Sequence, residues 1–359
     1  MRRREFNKSL LALSALPVMG AAAQSSSDAL PPGGSITDVP GLKVGHFTRT
    51  ERPTGCTVLL CEQGATAGVD VRGSAPGTRE TDLLSPTNLV QKVNAIVLSG
   101  GSAYGLDAAT GVMRYLEEQN AGYKIGNLGV VPIVPAAILM DLSVGNFKIR
   151  PDADCGYKAC KAANTAPVAE GCVGAGAGAT IGKLFGAKYA MKSGLGTASV
   201  KLGDTGIVVG AIVAVNAVGD VVNPDTGKIV AGARSEDGKG FRNSMAQMMS
   251  GYRVAVRPGE NTTIGVVATN AKFTKTQMTK IAQMAHDGYA RAISPVHTMG
   301  DGDTIFAMST GLAETPTDES AIGAIGAVVM ARAILRAVMQ ATSVPALGLV
   351  ARRDYAGRA

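Results

Sequence analysis

The chain has 359 residues, of which 46% are hydrophobic and 18% charged, with 46 glycines and no tryptophan. That length and composition describe a globular chain of one large domain or two ordinary ones, and the absence of a fixed-period repeat excludes a solenoid. The net charge of +7 comes without a Lys/Arg run or a basic stripe interleaved with aromatics, which excludes the usual nucleic-acid footprint.

The first 23 residues, "MRRREFNKSLLALSALPVMGAAA", have a basic start, an apolar middle and a small-residue end. They are expected to be a signal peptide of the twin-arginine type, with Arg3-Arg4 followed by Phe6 and Lys8. A membrane anchor is the competing reading, but Leu10 to Ala23 is too short to span a bilayer. Export would place the protein in the periplasm, and removal of the signal would lower the net charge by three. Residues 24–36 are expected to be a flexible tail. Five cysteines stand at 56, 61, 155, 160 and 172, without C-x-x-C or zinc spacing, and there are only three histidines. Free buried thiols and no metal are expected, although a periplasmic location would permit disulfides.

Along the chain, "CTVLLC", "ATAGVDV" and "NAIVLSG" read as short strands. "GGSAYGLDAATGVMRYLEEQ" reads as a helix, with Leu106, Ala109, Met113 and Leu116 at helical spacing. "GIVVGAIVAVNAVGDVV" reads as two strands, or one with a bulge at Gly210, and "RVAVRP" and "TIGVVAT" read as further strands. A helix is expected after Thr274, whose pairing with Gln277 is a capping box. "DTIFAMST" reads as a strand, and "ESAIGAIGAVVMARAILRAVMQA" as a closing helix. Arg332 and Arg336 interrupt that helix and mark it as core, not membrane. The class is mixed α/β with layered sheets.

Four stretches invite chemistry. "VGAGAGATIGKL" resembles a phosphate loop, but Ala177 and Leu184 stand where a Walker loop needs Gly and Ser or Thr, so a closely packed Gly/Ala turn is expected. Lys183 beside it could point into a crowded site. "SGGSAYG" fails the nucleophile-elbow pattern at Tyr104, so Ser102 reads as a helix cap. "HTMGDGDTIF" places Asp301 and Asp303 two apart. Spacing alone describes an acidic turn with solvated charges, and a Ca²⁺ loop is disfavoured by Phe306 and Met308 at later ligand positions.

The fourth stretch is "RPGENTTIGVVATNAKF". It could be no more than a turn entering a strand. A Thr hydroxyl is a poor nucleophile at its own pKa. If the Asn261–Thr262 bond is broken, Thr262 gains an α-amine with a reference pKa of about 7.7–8.0. One residue then supplies nucleophile and base, which suits a chain poor in histidine.

These segments, together with "ITDVPGLKVGHFT", "AGVDVRGSAPGTRETDLL" and "ARAILRAV", run in order along the whole mature chain. They resemble the L-aminopeptidase/D-esterase-amidase family, which includes β-peptidyl aminopeptidases and nylon-oligomer hydrolases. The resemblance implies a self-cleaving N-terminal-nucleophile hydrolase with a four-layer α/β/β/α sandwich. The α subunit would be residues 37–261 and the β subunit 262–359, assembling as oligomers of αβ units. It further implies that Thr262 is the nucleophile, that Lys183 lies near it, that Asn216 holds the developing oxyanion, and that Asp301 and Asp303 orient the nucleophile. A tyrosine important in several relatives falls on Met140, which has no hydroxyl to donate. The expected activity is hydrolysis of amide bonds in small peptides with a free N-terminus, without cofactor. The alternatives are an endo-type amidase on oligomeric amides and a binding protein that keeps the fold without activity.

Overall fold

A computed structural model describes residues 30–252 and 261–357; the expected signal segment and the strand "RVAVRP" lie outside the described residues. The longest strand, Gly55–Val71, ties two halves of one sheet together. Its first half pairs antiparallel with Lys43–Thr48 and Lys92–Ser99, and its second half with Thr304–Ser309. The reading of "CTVLLC" and "ATAGVDV" as separate strands is therefore corrected. The polar run Glu62-Gln63-Gly64 does not end the strand. The register shifts between Leu60 and Ala65, and such an irregularity bends a strand without breaking it.

Beyond Thr304–Ser309 the sheet continues through Thr262–Thr269, Val208–Asn216 and Leu195–Lys201. In the other direction it runs through Lys92–Ser99 and Ala136–Ile138 to Thr78–Arg79. Side chains alternate across strands, and the alternation builds three cores. Val209, Ala211, Val213, Ile305 and Ala307 face Met278, Ile281, Ile334 and Val338 of helices Lys275–Ala292 and Glu319–Met339. The opposite faces of the same strands, with Ile212, Ile264, Val266 and Phe306, meet Leu59, Ile96 and Leu98 of the other half-sheet. Val58, Leu60, Ala95 and Val97 then face Val112, Leu116 and Ala159 of helices Ala108–Glu118 and Ala153–Ala162. Three cores between four layers give the expected α/β/β/α sandwich.

Local signals hold where side chains cap or bury. Thr274 and Gln277 form the capping box of helix Lys275–Ala292. Helix Glu319–Met339 is long and apolar enough to cross a membrane, yet most of it is buried in the first core. "GIVVGAIVAVNAVGDVV" divides into Val208–Asn216 and Asp220–Val222, with Gly210 in regular register. All five cysteines are free, four of them buried.

Ser102 is not a helix cap. Gly101 takes that position, and Ser102 opens a 3-10 turn while its N–H donates to Leu139 O at 3.0 Å. Of the expected tail, residues 30–36 lie on the body: Arg336 Nη1 donates to Pro31 O at 3.1 Å, and Ile36 is fully buried.

Candidate active site

The stretch that follows Asn261 folds as strand Thr262–Thr269 because its β-branched residues suit a strand buried on both faces. It lies in the middle of the sheet. Thr262 stands opposite Asn216 on the antiparallel neighbour, and Ile264 opposite Thr304 on the parallel one. Thr262 is only 2% exposed. Its hydroxyl donates to the carbonyl of Asn261, the residue before it. The same carbonyl accepts the N–H of Gly302 at 3.0 Å, and Asn261 N–H donates to Gly300 O at 3.3 Å.

Asp301 and Asp303 flank Gly302 on the loop before strand Thr304–Ser309, and both are 1% exposed. The reading as solvated charges is thereby overturned. Asp303 is fully engaged: Oδ1 accepts Thr263 N–H at 2.7 Å, while Oδ2 accepts His297 N–H at 3.1 Å and His297 Nδ1–H at 2.9 Å. Among the described residues Asp301 accepts Thr298 N–H at 2.7 Å through Oδ2, and its Oδ1 has no hydrogen-bond partner there. Burial raises the pKa of Asp301 from its ordinary value, and the neighbouring Asp303 charge adds to the rise. Asp303 thus accepts three hydrogen bonds, while burial pushes Asp301 toward its neutral form.

The loop is clamped from behind by residues 72–75. Arg72 and Gly73 N–H groups donate to Asp303 O at 3.0 and 3.2 Å, and Ala75 N–H to Asp301 O at 2.9 Å. A Cβ on Gly73 would stand 2.3 Å from Asp301 O, so only glycine allows this approach.

On the other side of Thr262, Asn216 is fully buried at the end of its strand. Its Oδ1 accepts Thr180 N–H at 3.1 Å and Lys183 Nζ at 3.0 Å, and Lys183 also reaches Asn216 O at 2.9 Å. Its Nδ2 donates to Met140 O at 3.0 Å. Met140 thus contributes a backbone carbonyl to this network. Lys183 and Thr180 line a cavity of about 470 Å³ together with Ser143, Val144 and Leu347.

A buried ion pair shapes the loop that carries Met140. Arg52 and Asp141 side chains are both 0% exposed and 2.5 Å apart. Arg52 also donates to Val144 O and Ile149 O at 2.6 Å each. Asp141 further accepts Gly101 N–H at 2.9 Å and Thr54 Oγ1 at 2.7 Å.

All six expected site residues therefore surround one backbone position: Asn261 and Thr262 at the start of the strand, Asp301 and Asp303 on one side, Lys183 and Asn216 on the other. Sequence reasoning missed Gly302, His297, Thr180 and the Arg52–Asp141 pair. A signal existed for the first two, since both lie inside "HTMGDGD" with the carboxylates they support. None existed for Arg52, which acts across 89 residues. Among the described residues no cluster of metal-ligating side chains is present.

The profile of peptidase family S58 matches residues 34–349. An uncharacterized aminopeptidase of Mycobacterium leprae (strain TN) is 45% identical over 343 residues, covering 87% of this chain and 92% of its own. A 6-aminohexanoate-oligomer endohydrolase of Agromyces sp. (strain KY5R) is 32% identical over 314 residues, covering 84% of each chain. Among solved structures, a Burkholderia sp. beta-aminopeptidase superposes with a TM-score of 0.63 at 22% identity, over 92% of this chain and 91% of that one. The L-aminopeptidase D-Ala-esterase/amidase of Ochrobactrum anthropi, described as a variant of the Ntn hydrolase fold, gives 0.65 at 21% identity over 87% and 88%. The family model and the curated relatives define an aminopeptidase/amidase-type peptidase, and the solved structures share its fold. The chain belongs to peptidase family S58.

Proposed function

We propose that this enzyme cuts its own chain between Asn261 and Thr262 and then uses Thr262 to hydrolyse amide bonds of small peptides with a free N-terminus. The observation that carries the reading is the Thr262 hydroxyl seated on the Asn261 carbonyl, with Gly302 N–H on the same oxygen. In this reading cleavage frees the Thr262 α-amine, which takes the hydroxyl proton as Oγ attacks the substrate carbonyl. Asn216 stabilises the oxyanion, and water clears the ester. Lys183 holds Asn216 by its side-chain and main-chain oxygens, and Asp303 fixes the strand through Thr263 N–H. The proposed setting is the periplasm, reached through the twin-arginine signal, with αβ units assembled as a homo-oligomer.

The test is the Thr262→Ala variant. It should give one uncut chain and no hydrolysis. Cutting at the same bond in that variant would assign cleavage to Thr263 or to another protease. The endohydrolase relative keeps an endo-type amidase on oligomeric amides as the second reading. A pair of substrates, one with a free and one with an acetylated N-terminus, separates the two. The aminopeptidase reading requires that only the free one be cut.

A further inference from the structure

We propose that self-cleavage and substrate hydrolysis use different oxyanion donors, and that the main-chain N–H of Gly302 is the donor for self-cleavage. The inference rests on Thr262 being the nucleophile. When Thr262 Oγ adds to the Asn261 carbonyl carbon, negative charge gathers on Asn261 O. That atom already accepts Gly302 N–H at 3.0 Å. The donor needs no rearrangement, because Asp301 and Asn261 form a parallel bridge and the 72–75 segment clamps Asp301 and Asp303 from behind. Preorganised donors of this kind stabilise developing charge most effectively in a site closed to water.

Among the described residues Asn216 makes no hydrogen bond to this carbonyl. Its Nδ2 donates to Met140 O, and its Oδ1 is taken by Thr180 N–H and Lys183. Its side chain faces the Met140 loop and the Lys183 side of the site, where an incoming substrate carbonyl would be met. Gly302 is suited to the other task by having no side chain. A Cβ there would stand 2.5 Å from Ala75 O and 3.0 Å from Thr262 Oγ1. The nearby Asp301 carboxyl, pushed toward its neutral form by burial, lessens the repulsion that a second carboxylate would exert on the oxyanion.

The step balances within the chain. The Oγ–C bond to Asn261 forms, and the carbonyl electron pair moves onto the oxygen held by Gly302 N–H. The pair then returns as the C–N bond to Thr262 breaks, and the hydroxyl proton ends on the departing nitrogen. Water hydrolyses the resulting ester to the Asn261 carboxyl group and a free Thr262 hydroxyl. Departure of Asn261 removes the Gly302 donor's partner, and hydrolysis of substrate then relies on Asn216.

The experiment replaces Gly302 by glycolic acid during cell-free translation of the full chain, which turns the N–H into an ester oxygen and adds no atom. Self-cleavage should slow by about 10²-fold, the usual effect of removing one oxyanion donor. In parallel, Asn216→Ala should self-cleave within about threefold of wild type and, once cut, lose about 10²-fold in kcat on a small amide. An ester chain that cuts at the wild-type rate would overturn the proposal. So would an Asn216→Ala chain whose cutting slows as much as its hydrolysis, and this arm decides the matter if the ester chain does not fold. Thr262→Ala made alongside separates the two layers of the argument. If it cuts, the nucleophile assignment itself is wrong; if it stays whole while the ester chain cuts normally, only the Gly302 role is.

Discussion

The loop Thr298–Asp303 grips the Asn261–Thr262 bond through backbone and carboxylates, whereas Lys183 and Asn216, on the opposite side, reach Met140 and the cavity. On the loop side Gly302 N–H donates to Asn261 O and Asp303 accepts Thr263 N–H, so two of its contacts hold the chain's own backbone around that bond. On the other side the polar groups hold one another and border open space. A precursor needs its own peptide bond fixed, and an enzyme needs room for a foreign one. The difference between the two sides matches these two needs, and it can be broken experimentally one side at a time.

The largest effect is expected at Asp303. Asp303→Asn weakens an anchor that joins His297 to the Thr262 strand, and self-cleavage should slow on the order of 10²-fold, as a small misplacement of reacting groups does. Pulse-labelled precursor followed on a gel measures this. Wild-type processing would show that the Asp303 anchor does not serve cleavage.

Arg52→Met probes the scaffold under the Met140 side. It leaves Asp141 buried without its ion partner, which costs about 3–5 kcal/mol. Arg52→Met combined with Asp141→Leu should recover part of the loss, because neither charge then remains buried. Urea unfolding of the uncut Thr262→Ala chain gives both values. Equal stability in the single and double variants would contradict the pairing.

The pH–rate profile bears on which side supplies the base. If the freed Thr262 amine accepts the proton, the acid limb of kcat/KM should fall between about 6 and 8, near the reference value of an α-amine. A limb well below about 6 would take the base away from the amine. A neutral amide substrate keeps its own ionisation out of the measurement.

The smallest effect is on stability in acid. Burial lowers both His46 and His286 to about 4, from about 6.5. The folded chain binds fewer protons than the unfolded one between these values, so the contribution of both groups is complete above about 6.5 and is lost as pH falls toward 4. Each adds at most about 1.4 kcal/mol per pH unit. Asp301 acts with the opposite sign: its raised pKa makes the fold less stable as pH rises past the carboxylate range. His286→Gln should flatten the fall of Tm between pH 6.5 and 4.5, and Asp301→Asn should raise Tm at pH 7. Unchanged slopes in both would mean that neither group is buried as described.

Much of this was legible in the sequence where the signal is local. The apolar, β-branched run in "TIGVVAT" and the Thr274–Gln277 capping box are short-range patterns, and both elements form where expected. The six candidate residues came from residue chemistry joined to a family resemblance, and the fold brings them around Thr262. Three features resisted. The long strand Gly55–Val71 passes through Glu62-Gln63-Gly64 because pairing on both sides overrides a local turn signal. Gly302 is read as a spacer between two carboxylates until its N–H is seen on Asn261 O. The Arg52–Asp141 pair joins distant segments, and no periodicity encodes a contact of that kind.

The account's central claim is that the chain opens its own Asn261–Thr262 bond and works from the new end. Intact-mass measurement of the purified wild-type protein, with N-terminal sequencing of each component, tests it most directly. The account predicts two chains, one of which begins at Thr262 and runs to Ala359. A single uncut chain that nevertheless hydrolyses amides, or a second chain beginning at Thr263, would contradict it.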